Sequence, residues 1–119
     1  MRVLIADDVP SILMLTTSMV RRRGHEAFSV TDGIAALDAV RDSAFDLVIL
    51  DIQMPGMEGT DCAREIRRLP ATRQPRLLIA LTGASDTENI QKILASGFDD
   101  ILIKPVTGPL LEAVLERLA

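Results

Sequence analysis

The chain has 119 residues, 48% hydrophobic and 25% charged, which fits one domain (residues 1–119) with enough apolar material for a core. Three Phe and no Trp or Tyr make that core aliphatic and exclude an aromatic platform for stacking bases; a net charge of −4 argues against nucleic acid and against direct contact with an anionic membrane. The single cysteine, Cys62, excludes an internal disulfide and a multi-cysteine metal site, and no apolar stretch reaches the roughly 18 residues of a membrane span. With no signal-peptide layout after Met1-Arg2, a cytoplasmic setting is expected, although a cytosolic portion of a membrane protein would read the same way.

Along the chain the hydrophobic period switches repeatedly. Val3-Leu4-Ile5-Ala6 predicts a first strand ending at Asp7-Asp8. Ile12, Leu15 and Met19, at i, i+3 and i+7, predict a helix, closed by Arg21-Arg22-Arg23-Gly24 with cations in its last turn and Gly just past it. Ala27-Phe28-Ser29-Val30 reads as a second strand, Thr31-Asp32-Gly33 as a turn into a helix, and Ile34, Leu37 and Val40 as that helix's apolar stripe. Leu47-Val48-Ile49-Leu50 predicts a third strand, ending at Asp51, with a turn at Met54-Pro55-Gly56 and a helix marked by Cys62, Ile66 and Leu69. Leu77-Leu78-Ile79-Ala80-Leu81 is the fourth run, followed by Thr82-Gly83 and a helix carrying Ile90, Ile93 and Leu94. Ile101-Leu102-Ile103 is the fifth, followed by Lys104-Pro105, a Thr107 N-cap ahead of Gly108-Pro109, and a stripe of Leu111, Val114, Leu115 and Leu118.

Five short runs, apolar on both faces and alternating with helices, imply a (βα)5 parallel sheet covered on both sides. In such sheets ligands sit beyond the carboxyl ends of the strands. Those ends bring together Asp7, Asp8, Asp51, Thr82 and Lys104. Each residue alone has an ordinary explanation: Asp8 as a helix N-cap, Asp51 as a turn residue, Thr82 as a strand end, Lys104 as a solvated surface lysine. Jointly they do not. Three close carboxylates need a bound cation or raised pKa values, and an all-oxygen site favours Mg²⁺.

These residues carry a family resemblance that covers essentially the whole chain. Ile5-Ala6-Asp7-Asp8, Ile49-Leu50-Asp51-Ile52-Gln53-Met54-Pro55-Gly56-Met57-Glu58-Gly59, Ala80-Leu81-Thr82-Gly83 and Ile103-Lys104-Pro105 resemble the receiver domains of two-component signalling. The resemblance implies a flavodoxin-like strand order 2-1-3-4-5, a property of the family and not a derivation from this sequence. It implies that Asp51 is the nucleophile toward a phosphohistidine, on a histidine kinase or a histidine phosphotransfer domain. It implies Mg²⁺ held by Asp7, Asp8, Asp51 and the Gln53 carbonyl, and phosphoryl oxygens met by Lys104, Thr82 and Gly83. A cis bond before Pro105 is a family feature as well. No independent turnover is expected, since such a domain only assists its own phosphorylation and dephosphorylation. The switch would run through Thr82. Many receivers place an aromatic three residues before the lysine; here that position is Ile101, so a smaller repacking around Ile101 and the Ile90–Leu94 helix is expected.

The context is expected to be a receiver excised from a hybrid histidine kinase, whose helix docks on the first helix near Pro10 to Met14; a stand-alone response regulator is the alternative. An aspartate-nucleophile phosphatase would need a second Asp two residues after the nucleophile, where Gln53 stands, and Gln53 has no carboxyl proton to donate. A flavin module would need a phosphate loop where Asp7-Asp8 repel phosphate. His25, the only histidine, reads as a solvated loop residue, the methionines as core or gap fillers, and Arg64, Arg67, Arg68 and Arg73 as a solvated helix face.

Overall fold

The computed structural model describes residues 1–83 and 89–118. Strands β1 (Arg2–Ala6), β2 (Glu26–Val30), β3 (Leu47–Asp51), β4 (Leu77–Thr82) and β5 (Asp100–Ile103) alternate with helices α1 (Pro10–Arg22), α2 (Gly33–Asp42), α3 (Gly59–Arg67), α4 (Ile90–Ala95) and α5 (Gly108–Glu116). A 3₁₀ turn, Ala71–Arg73, precedes β4. The strands form one parallel sheet in the order β2-β1-β3-β4-β5, as the resemblance implied.

The central strands are buried on both faces, which explains their uninterrupted apolar sequence. Val3, Ile5, Leu47, Ile49, Ile79 and Leu81 point to one side, where Met19 and Val20 of α1 and Leu111, Val114 and Leu115 of α5 cover them. Leu4, Ala6, Val48, Leu50, Leu78 and Ala80 point to the other, under Leu37 and Val40 of α2, Cys62 and Ile66 of α3 and Ile93 of α4. The outer strands are less enclosed: Phe28 on β2 and Ile103 on β5 are both partly exposed. Arg2 lies over the Phe28 and Phe45 rings, 4.7 and 5.3 Å from their centroids, and closes the open end of β1 and β2.

Helix ends follow the sequence signals where side-chain chemistry sets them. Asp32 caps α2 by accepting from the Ala35 N–H at 2.7 Å, and Thr107 caps α5 by accepting from Leu110. Gly24, at φ +82°, follows the last turn of α1. One residue of each of two stripes departs from the expectation, while Met19, Leu37 and Val40 are buried as expected. On α1, Leu15 is 52% exposed while Thr16 and Thr17 are buried; on α2, Ile34 is 51% exposed. Thr16 tolerates burial because its hydroxyl donates to the Ile12 carbonyl at 2.9 Å. Met14, at 71% exposure, is not a core residue.

The arginines of α3 also divide. Arg64 and Arg68 are exposed and pair one turn back with Asp61 and Glu65. Arg67 is half-buried instead. It donates to the Gly97 carbonyl at 2.7 Å, to Gln74 Oε1 at 3.1 Å and to Asp99 Oδ2 at 2.9 Å, tying α3 to the loop between α4 and β5.

Candidate functional site

The parallel register delivers the site. Asp51 is the last residue of β3 and stands opposite Leu81; Thr82 is the last of β4 and stands opposite Ile103; Lys104 follows directly. β1 ends beside β3, so Asp7 and Asp8 arrive at the same edge. The carboxylates of Asp7, Asp8 and Asp51 offer one oxygen each within 4.8 Å of one another, the arrangement expected from the strand ends. Asp7 is fully buried, Asp51 nearly so, and Asp8 is exposed.

Both buried carboxylates are oriented by backbone donors. The Val9 N–H donates to Asp7 Oδ1 at 2.9 Å and the Gln53 N–H to Asp51 Oδ1 at 3.1 Å. Asp8 does not cap α1: the capping position is Val9, which makes no side-chain bond, and Pro10 in the first turn removes a donor that a cap would serve. The Lys104 ammonium donates to Asp51 Oδ2 at 2.7 Å and lies 3.5 Å from Asp7 Oδ2, close enough for attraction and too far for a good hydrogen bond. The peptide bond between Lys104 and Pro105 is cis.

At this edge of the sheet two buried oxygens, Asp7 Oδ2 and Thr82 Oγ1, have no hydrogen-bond partner among the described residues. Such atoms are costly unless something meets them. The electrostatics agree. Burial pushes the Asp7 carboxyl above its ordinary value, against the Val9 N–H bond that lowers it, and the neighbouring Asp51 pushes it further. Burial alone would lower the Lys104 pKa, yet the hydrogen bond and charge of Asp51, with Asp7 behind it, hold it above the usual lysine value. An orphaned buried carboxylate oxygen inside an all-oxygen, three-carboxylate cluster fits a hard divalent cation.

Around this centre, Gln53 is exposed in the β3–α3 loop and Gly83 follows β4. Ile101 stands opposite Ala80 and is partly buried against the layer that contains Ile93 and Phe98. The Val9 and Gln53 amides that orient the carboxylates escape sequence reading, because any residue supplies an N–H. Cys62 packs in the core with its thiol pushed up to about 12 by burial, and its Sγ meets the Gly33 carbonyl at 3.5 Å. His25 is partly buried, with Nδ1 3.1 Å from the Met1 amine.

A doubly wound sheet with an acidic cluster, a lysine and a threonine at its carboxyl edge defines a class of signalling domain. The chain belongs to the response regulator receiver domain family, which it matches over residues 3–116. It is 40% identical over 116 residues to the sensor protein GacS of Pseudomonas syringae pv. syringae, covering 96% of this chain and 13% of that protein. It is 35% identical over 118 residues to the aerobic respiration control sensor protein ArcB of Escherichia coli K12, covering 98% of this chain and 15% of that one. Among solved structures, the receiver domain of sensor histidine kinase PA1611 from Pseudomonas aeruginosa PAO1 superposes with a TM-score of 0.88 at 27% identity, covering 98% of this chain and 95% of that one. That structure has a magnesium ion coordinated in its active-site cleft. The chain thus spans about one-seventh of the length of its sensor-protein relatives. No helix among the described residues is long and apolar enough to cross a membrane.

Proposed function

We propose that Asp51 accepts a phosphoryl group from a phosphohistidine and that the resulting acyl phosphate is the signal this domain carries. The observation that carries the reading is the Asp51 carboxylate itself, set in a three-carboxylate cluster with Lys104 2.7 Å away. A carboxylate is ionised at neutral pH and attacks without a general base. An Asp51 oxygen forms the new bond to phosphorus while the phosphorus–nitrogen bond of the phosphohistidine breaks; the ring, protonated on its other nitrogen before transfer, keeps the bonding pair and leaves as neutral imidazole. Such a transfer needs mainly positioning and charge stabilisation at the equatorial oxygens.

Lys104 would move its ammonium from the Asp51 carboxylate to a phosphoryl oxygen. The Thr82 hydroxyl, which has no partner among the described residues, would donate to another, and the Gly83 backbone would face the same group. Asp7, Asp8, Asp51 and the Gln53 carbonyl are the residues that would hold Mg²⁺, which supplies charge neutralisation when bound. Satisfying Thr82 Oγ1 draws β4 toward the acceptor, and Ile101 beside Ala80 repacks with it; this is a shift between two packings. Ile101 is smaller than the aromatic of many receivers, so the repacking is modest.

The partner is a histidine kinase or a histidine phosphotransfer domain, and the parent is a hybrid sensor kinase with this domain on the cytoplasmic side. The 40% and 35% identities to sensor proteins support this parent. The exposed Met14 and Leu15 of α1, with Val9 beside the site, form the apolar surface on which the donor helix would dock. The test is incubation with a small phosphodonor and Mg²⁺, followed by intact-mass measurement. Wild type gains one phosphoryl group and Asp51→Asn gains none; no gain on wild type would overturn the reading.

A further inference from the structure

The loop after Asp51 is held at both ends by glycines with no room for a side chain. At its far end, Gly59 donates its N–H to the Ile52 carbonyl at 2.8 Å, and a Cβ there would strike the Asp51 carbonyl oxygen and come within 2.8 Å of Ile52 Cα. That contact lies within the acceptor segment itself. The second comes from elsewhere in the fold. Gly33, the first residue of α2, is buried, and a Cβ on it would collide with the Met57 carbonyl oxygen and stand 2.9 Å from Met57 Cβ. Gly33 is fixed in turn. Its carbonyl accepts from Cys62 Sγ at 3.5 Å, and Asp32 before it caps the helix through the Ala35 N–H.

We propose that Gly33 is a positioning residue for the phosphoacceptor site. The bare backbone at the start of α2 lets Met57 seat against it, and that seat sets where the Gln53 segment stands. Only four residues, 53 to 56, separate Met57 from Ile52, and Gly56 at φ +79° makes their turn tight. A displacement of Met57 therefore reaches the Gln53 N–H, which orients Asp51 Oδ1, and the Gln53 carbonyl. A Cβ at Gly33 meets backbone, which cannot rotate away as a side-chain end can, so the loop or the helix must move. The proposal rests on the reading that this loop supplies a metal ligand, and it adds that α2 determines the ligand's place.

The test is Mg²⁺ titration followed by backbone amide resonances of wild type, Gly33→Ala and Gly24→Ala. Gly24 is the comparator for plain destabilisation, since its φ of +82° strains any other residue while nothing lies within 4 Å of its added Cβ. Gly33→Ala should weaken Mg²⁺ binding by about tenfold or more, the range seen when a group that orients a metal ligand is lost. Gly24→Ala should lose thermal stability and keep wild-type Mg²⁺ affinity. Equal Mg²⁺ affinity in Gly33→Ala and wild type overturns the proposal. Should Gly33→Ala not fold, wild type decides by reciprocity. Mg²⁺ must slow amide exchange at Ile34 and Ala35 more than at Val40 of the same helix, and equal effects along α2 overturn the proposal. Failure of wild type to bind Mg²⁺ at all overturns the proposed function and the role of Gly33 with it, whereas equal affinity in the two proteins overturns the role of Gly33 alone.

Discussion

Replacing Asp7 by Asn should stabilise the metal-free protein. The Asp7 carboxylate is fully buried and lies within 4.8 Å of its two carboxylate neighbours. At the outer limit of that separation and an effective dielectric of about 20, its repulsion with Asp51 is about 3.5 kcal/mol, and more at any shorter distance. Asp8 is exposed, so its repulsion is discounted to about 1 kcal/mol. The attraction of Lys104 at 3.5 Å is worth about 5 kcal/mol on the same scale and roughly cancels these two. What is left is the cost of a buried charge with one unbonded oxygen. Asn keeps an acceptor for the Val9 N–H and turns an amide N–H toward Asp51, a hydrogen bond to a charged group worth about 1.5–3 kcal/mol. A net gain of roughly 2 kcal/mol follows, or about 8 °C in Tm for a domain of this size.

The pH dependence has a definite sign. The Asp7 carboxyl holds its proton more firmly when folded than when unfolded, because burial raises its pKa. Its protonation thus favours folding in acid, and that contribution is lost as the pH rises through the raised folded value. The advantage of Asp7→Asn is therefore full at neutral pH and absent below the ordinary carboxylate range. Thermal unfolding in chelator at pH 7 and in acid measures both. A lower Tm for Asp7→Asn at pH 7 would refute the account of Asp7 as an uncompensated buried charge.

The Lys104 ammonium, held above its usual pKa, contributes stability that is full below the unfolded lysine value and lost as the pH rises through its folded value. Wild type should therefore lose stability in alkali more steeply than Lys104→Met, as followed by circular dichroism. Arg67→Ala should cost about 1–3 kcal/mol by releasing Gly97, Gln74 and Asp99, read as a lower denaturation midpoint. It should also speed amide exchange between α4 and β5 while leaving Mg²⁺ affinity unchanged. Met14→Arg should slow phosphotransfer from a histidine phosphotransfer domain about tenfold or more, the scale of losing an apolar contact at an interface. Its phosphorylation by a small donor should be unaffected.

Much of this architecture is written in the sequence because burial on both faces forces continuous apolar strands, and the polar residues that end them are then conspicuous. Asp51 after Leu47-Val48-Ile49-Leu50 and Lys104 after Ile101-Leu102-Ile103 are legible for that reason. The phase of α1 is not. Ile12-Leu13-Met14-Leu15 wraps the helix with apolar residues, so periodicity cannot choose a face, and the core instead takes Thr16, whose hydroxyl is satisfied within the helix. Arg67 sits in the same arginine cluster as Arg64 and Arg68, and only tertiary contact with Gly97 and Asp99 distinguishes it. The closeness of Gly33 to Met57 is likewise a product of how α2 meets the β3–α3 loop, which local sequence does not encode.

Reductive trapping identifies the phosphorylated residue by its chemistry. An acyl phosphate is reduced by borohydride to an alcohol, which turns a phosphorylated aspartate into homoserine. After incubation with a small phosphodonor and Mg²⁺, reduction and peptide mapping should find homoserine at position 51 alone, and none when Mg²⁺ is chelated. Homoserine at Asp7 or Asp8 instead, or no reduction at any aspartate, would contradict the assignment of Asp51 as the phosphoacceptor.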